Sequence, residues 1–184
     1  MSSFRATTTI PVILITGPVG AGKSTVAIWL SELLERRQVR HVMIDQDYLR
    51  RVYPSPAGDR FAARLGYRNL AAIWPNMLEV APQCVIVADV VEDRAQSLAD
   101  YAQALPGTHV TIVRLDVPMP VIIERLNGRE SDESIDWFRK RAPELQAIME
   151  REHVEDILID AGTRAPEAIA TEIIARLSLA VLPD

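Results

Sequence analysis

Apolar residues fall along the chain in two alternating patterns. Short continuous runs occupy residues 12–15 (Val-Ile-Leu-Ile), 41–44, 85–88, 110–115 and 157–159, mostly β-branched or aliphatic and without polar alternation. Such runs predict strands buried on both faces of a parallel sheet. Between them, apolar residues recur at spacings of three and four. Val26, Leu30, Leu33 and Leu34 predict a helix over residues 24–37, with Arg36 and Arg37 at its C-terminal dipole end. Residues 59–78 carry Phe61, Leu65, Leu70, Ile73, Trp74, Met77 and Leu78, and Gly66 and Pro75 are expected to bend or split that helix. Further helices are predicted over 93–105, from Pro120 to the Asn127-Gly128 stop, over 135–150, and from Pro166 with Ile169, Ile173 and Leu177 on one face. The alternation predicts an α/β fold class: one three-layer α/β/α domain over residues 1–184, built on a five-stranded, mainly parallel sheet. Residues 53–58 (Tyr-Pro-Ser-Pro-Ala-Gly) read as a loop, too short to divide domains.

Composition narrows the class. A chain of 184 residues, 48% hydrophobic and 24% charged, is long enough for a sizeable core and ordinary for a globular protein. The net charge of −5 and the lack of a basic block disfavour a nucleic-acid backbone as partner, although clustered arginines still suit a small anion. Cys84 is the single cysteine, which excludes an intrachain disulfide and a cysteine-built zinc site; opening an apolar run, it reads as a core residue. His41, His109 and His153 are scattered and carry no assigned chemistry. The first residues lack a basic stretch followed by an apolar one, and residues 1–9 are expected to form a flexible arm. No apolar run approaches the roughly 20 residues that span a bilayer, so a cytoplasmic protein without membrane contact is expected.

Candidate chemistry begins directly after the first strand. Gly17-Pro18-Val19-Gly20-Ala21-Gly22-Lys23-Ser24-Thr25 matches G-x-x-x-x-G-K-[ST], between a predicted strand and a predicted helix. That context matters, because glycines let backbone N–H groups converge on phosphate oxygens while the helix N-terminus adds a favourable field. Lys23 is a point charge for the β- and γ-phosphates of ATP, and the Ser24 hydroxyl is a ligand for Mg²⁺.

Three carboxylates follow later strands. Asp45 and Asp47 come immediately after the second strand, on the rim where parallel sheets bind ligands. One carboxylate there can orient a hydroxyl while another holds Mg²⁺; the expected assignment is Asp47 to the acceptor hydroxyl and Asp45 to the metal shell. The competing reading makes such an Asp a helix N-cap. Asp89 closes the apolar run Val85-Ile86-Val87-Ala88 in the form of a Walker B strand, which makes it a further Mg²⁺ candidate. Val90 stands where a mechanical ATPase of the AAA+ type places Glu, and no Asn-Lys-x-Asp guanine motif exists.

With these motifs the chain resembles the small P-loop kinases, the group that contains adenylylsulfate, shikimate, gluconate and chloramphenicol kinases. Asp45-x-Asp47-x-x-Arg50 is similar to the acidic motif of adenylylsulfate kinases, a likeness that implies a substrate role for Asp47 and Arg50. In place of their Ser-Pro-Tyr-Arg segment this chain has Val90-Val91-Glu92-Asp93-Arg94, and their Phe-Thr-Gly-Ile-Asp segment is absent; these departures point away from adenylylsulfate as the acceptor. The resemblance further implies that residues 46–80 bind the acceptor. Arg60, Arg64 and Arg68, four apart, are expected to share a helix face there and to grip an anionic group, with Arg64 and Arg68 as substrate residues; a solvated face paired with acids competes. It also implies a small helical lid over residues 125–140, whose Arg125 and Arg129 cover the transferred phosphoryl group. The expected function is transfer of the γ-phosphate of MgATP to a small hydroxylated acceptor. A regulatory module that only binds ATP, or a polynucleotide 5′-kinase, are the rival readings.

Overall fold

The computed structural model of the chain describes residues 9–128 and 132–179, the side chains of 132–134 excepted. Most of the expected N-terminal arm (residues 1–8) and lid residue Arg129 therefore lie outside the described residues. Five strands form one sheet: β1 (Ile10–Thr16), β2 (His41–Asp45), β3 (Cys84–Ala88), β4 (Thr108–Asp116) and β5 (Ile157–Asp160). Their order is β2-β3-β1-β4-β5, and every pairing is parallel. The helices are α1 (Lys23–Arg36), α2 (Gln46–Leu49), α3 (Ala63–Leu78), α4 (Arg94–Ala104), α5 (Met119–Asn127), α6 (Asp132–Glu152) and α7 (Pro166–Arg176). A short 3₁₀ turn, Arg60–Ala62, precedes α3. No described helix is long and apolar enough to cross a membrane.

The continuous apolar runs are explained by burial on both sheet faces. Ile13, Ile15, Ile86, Val113 and Leu115 face one core, shared with Val26, Leu30 and Leu34 of α1 and Ile169 and Ile173 of α7. Val12, Leu14, Val85, Val87 and Ile112 face the other, shared with Leu70 and Trp74 of α3 and Tyr101 and Ala104 of α4. Successive residues of each strand thus enter opposite layers, and no polar alternation is needed. Cys84 is buried in the first core, where loss of solvation pushes its thiol up to about 12.

The expected break in the 59–78 helix falls elsewhere. Gly66 and Pro75 both lie within a continuous α3, and the chain turns instead at Phe61 (φ 56°) and Ala62 (φ 51°). Gly66 is required by a close approach: a Cβ there stands 3.2 Å from the Arg50 Cβ and 3.3 Å from the Gln46 Nε2 of α2. The kink at residues 61–62 also removes Arg60 from the helical face of Arg64 and Arg68.

The strand order positions the site. β1 and β3 are neighbours, but the helix after β1 packs into one core and the helix after β3 into the other. A crevice opens where their C-terminal loops diverge, the place at which open α/β sheets bind ligands.

Candidate active site

The loop after β1 enters this crevice and ends at Gly22, whose left-handed backbone (φ 94°) caps α1 without a side chain and leaves the first-turn amides facing outward. Gly20 (φ 86°) packs directly on α5: a Cβ there would sit 3.0 Å from the Ile122 Cγ2 and 3.1 Å from the Leu126 Cγ. Lys23 donates to the Gly17 carbonyl (3.1 Å) and the Pro18 carbonyl (3.2 Å) of its own loop. Burial lowers its pKa, and the nearby carboxylates of Asp47, Asp89 and Asp45 oppose that shift.

Two strand ends bring the carboxylates to the loop. Asp45 caps α2 by accepting from the Asp47 N–H (3.1 Å), so the competing N-cap reading holds. Its other oxygen accepts from the Ser24 hydroxyl at 2.6 Å. Asp45 therefore both caps α2 and supplies one half of a hard-oxygen pair beside the phosphate loop. Ser24 Oγ with Asp45 Oδ2 is a donor set that fits Mg²⁺, which prefers few protein oxygens together with phosphate and water.

Asp47 is largely exposed and is bound by Arg50, whose Nε reaches Asp47 Oδ1 at 2.9 Å. The same guanidinium, 18% exposed, pairs with Asp89 Oδ1 at 3.3 Å. Asp89, the further Mg²⁺ candidate, lines the cavity and is already engaged by protein groups. It is buried and receives the Tyr101 hydroxyl (2.9 Å) and the Val90 N–H (2.8 Å). Burial raises its pKa against the pull of Arg50, Val90 N–H and Tyr101. Burial also disfavours the charged form of Arg50, but Asp89 and Asp47 outweigh that and raise its pKa. Thr16 anchors the loop behind Asp89 by accepting from the Val91 N–H at 3.0 Å.

Lys23, Ser24, Asp47, Arg50 and Asp89 line a cavity of about 540 Å³. Gly20, Gly22, Lys23, Ser24 and Thr25 form one end. The far wall is aromatic: Phe61, Tyr67, Trp137 and Phe138 line it together with Leu145 and Arg141. Phe61 and Trp137 meet edge-on at 6.0 Å, and Trp137 and Phe138 at 4.9 Å. Arg141, 5% exposed, pairs with Glu92 and with Glu144 (2.7 Å) and lies 5.7 Å from the Phe61 ring centre.

Other expected residues stand elsewhere. Arg64 and Arg68 are exposed and do not line the cavity; Arg64 donates to the Gly58 carbonyl (2.6 Å) and pairs with Asp59 (3.8 Å). The reason is helical phase. Ala63 and Tyr67 face the cavity, so residues 64 and 68 lie about 100° round toward solvent. Arg125 turns from the cavity to the backbone, donating to the Ala21 carbonyl (3.2 Å) and the Gly162 carbonyl (2.9 Å). It braces the phosphate loop against the turn after β5. Arg141, Tyr67, Tyr101 and the aromatic pair of α6 belong to no motif in the sequence, yet they build or support the far wall of the cavity and the charge pairs beside it. The available signal was the four-residue spacing of Trp137, Arg141 and Leu145 along the predicted 135–150 helix.

A phosphate loop, a capped acidic motif and this strand order define a small P-loop kinase. The family model for adenylylsulphate kinase matches residues 9–125, and the chain belongs to that family. Against the curated proteins it finds no match. Solved structures share its fold. The Deinococcus radiodurans tunicamycin resistance protein is 24% identical over 95% of this chain and 99% of that one, with a TM-score of 0.62. Shikimate kinase from Acinetobacter baumannii is 18% identical over 96% and 97%, with a TM-score of 0.60. A gluconokinase from Sinorhizobium meliloti 1021 is 21% identical over 93% of each chain, with a TM-score of 0.54.

Proposed function

We propose that the protein transfers the γ-phosphoryl group of ATP to a hydroxyl of a small acceptor. The observation that carries this reading is the Ser24–Asp45 hydrogen bond with Asp47 two residues on, which ties the phosphate loop to a carboxylate open to the cavity. Loop amides and Lys23 hold the phosphates. Ser24 and Asp45 are the residues that would hold Mg²⁺, which when bound neutralises charge on the β- and γ-phosphate oxygens. Asp47 orients the acceptor hydroxyl and takes its proton as the new O–P bond forms and the bond from the γ-phosphorus to the bridging oxygen breaks, releasing ADP. Arg50 fixes the Asp47 carboxylate, and Asp89 fixes Arg50. Asp89 is therefore assigned to positioning rather than to the metal. Arg125 supports the loop, and Arg129 is left as the lid cation. Dependence on ATP fits a cytoplasmic location.

The test is ADP release with MgATP across a panel of hydroxylated acceptors. The wild type should turn over at least one acceptor, Lys23→Ala should abolish that turnover, and Asp47→Asn should lower kcat by on the order of 10²-fold or more with ATP affinity retained. Unchanged turnover in Asp47→Asn removes it from the acceptor role. Wild-type ADP release no higher than Lys23→Ala with every acceptor leaves the rival reading, a module that binds ATP without transfer.

A further inference from the structure

The two cations that line the acceptor side of the cavity are paired with carboxylates; Arg60, outside the lining, stacks over the Phe61 ring at 4.8 Å. Arg50 is held between Asp47 and Asp89, and Arg141 between Glu92 and Glu144. Among the described lining residues, five carboxylates stand against three cations, the third being Lys23 at the phosphate end. An acceptor carrying a carboxylate, sulfate or phosphate would enter a field of its own sign, with the charges of Arg50 and Arg141 already balanced by carboxylates even though Arg141 Nη1 makes no hydrogen bond of its own. Arg64 and Arg68, which the pattern offered as anion grips, point elsewhere.

The same wall presents apolar surface. Phe61 is 44% exposed and Trp137 48% exposed, although both line the cavity. Large aromatics left open inside a concave site mark a surface that a ligand covers. Phe61 is held there at a backbone angle costly for a bulky residue, φ 56°, followed by Ala62 at φ 51°. The α6 part of the wall lies beyond residues 9–125, so it is no part of what the chain shares with the adenylylsulphate kinase model.

We propose that the acceptor bears no anionic group: it is a neutral or cationic hydroxylated compound with an aryl or alkyl portion that packs on Phe61, Tyr67, Trp137 and Phe138. This inference rests on the phosphotransferase reading for the hydroxyl, and on the wall alone for charge and apolarity.

Three probes of one shape separate the two: phenylbutanol, phenylbutylamine and phenylbutyrate, titrated into the full chain with tryptophan fluorescence as readout. Trp137→Phe identifies the responding indole against Trp29 and Trp74. The alcohol and the amine should bind roughly tenfold or more tightly than the carboxylate. Phe61→Ala should weaken both by roughly tenfold, and Phe61→Leu by less. Glu92→Gln should narrow the gap to the carboxylate. Carboxylate binding equal to or tighter than that of the other two, or no binding of any probe, overturns the inference. ADP release completes the test, with neutral and amine-bearing aryl alcohols set against shikimate, gluconate and adenylylsulfate. Preference for the anionic set overturns the inference and leaves the kinase reading standing. ADP release no higher than Lys23→Ala with every acceptor removes the kinase reading, and the probe series still decides charge preference.

Discussion

The two ends of the cavity are built on different principles. The phosphate end comes from nine consecutive residues, and its work is done by backbone: amides at the start of α1, glycines at positive φ, and carbonyls that hold Lys23. The acceptor end is assembled from the α2 motif, the 3₁₀ turn with α3, the segment after β3, and α6, and its work is done by side chains. A backbone site tolerates few changes of geometry but asks little of its surroundings. A side-chain site depends on charge pairs and ring contacts between distant segments.

That contrast is open to attack by substitution. The largest effect should come from Arg50→Met on the acceptor side, which leaves Asp89 buried without its cation and should cost about 3 kcal/mol of stability near neutral pH. The sign with pH follows from Asp89. Its folded pKa already lies above the ordinary value and rises further without Arg50, so ionisation opposes folding above that pKa and ceases to matter below the unfolded value. The deficit against wild type should therefore shrink as pH falls from about 8 toward about 5. Urea denaturation of both proteins at the two pH values checks it, and a deficit that grows on acidification breaks the assignment.

On the phosphate side, Gly20→Ala should cost about 2 kcal/mol and weaken ATP binding, because its Cβ meets Ile122 and Leu126 and its φ is 86°. A thermal melt with and without MgATP reads both. Arg125→Ala should cost about 1 kcal/mol, the loss of two donations to backbone carbonyls, with a severalfold loss of ATP affinity in the same assay. If it instead lowers kcat with ATP affinity intact, Arg125 belongs over the transferred group as the resemblance to small P-loop kinases implied. The smallest effects belong to Arg64→Ala and Arg68→Ala, expected within about 0.5 kcal/mol in stability and within about twofold in kcat/KM. A tenfold fall in kcat/KM for either would return an anionic acceptor to consideration.

Much of the fold was legible because its signals are local. Strands buried on both faces leave unbroken apolar runs, and Lys23–Arg36, Arg94–Ala104 and Met119–Asn127 end within a few residues of their expected boundaries. In the 59–78 region a local signal and the structure part. Gly66 looked like a breaker, but a glycine required for the approach of α2 is indistinguishable in sequence from one that ends a helix. The true turn, at Phe61 and Ala62, follows Asp59, whose carbonyl accepts from the Ala62 N–H and whose carboxylate accepts from the Arg64 and Leu65 N–H groups, while Phe61 and Ala62 themselves are not residues that favour the left-handed region.

Sequence by itself determined the α/β class, the phosphate loop and the acidic motif, because each depends on residues adjacent along the chain. Only the tertiary structure decided what the long cationic and aromatic side chains do. Arg50 and Arg141 became members of closed charge pairs, Arg125 a brace for the loop, and Arg64 and Arg68 surface residues. The physical reason is reach. A guanidinium on a flexible stem takes the nearest carboxylate or carbonyl in space, and those partners, such as Glu92 for Arg141 or Gly162 for Arg125, lie tens of residues away in sequence.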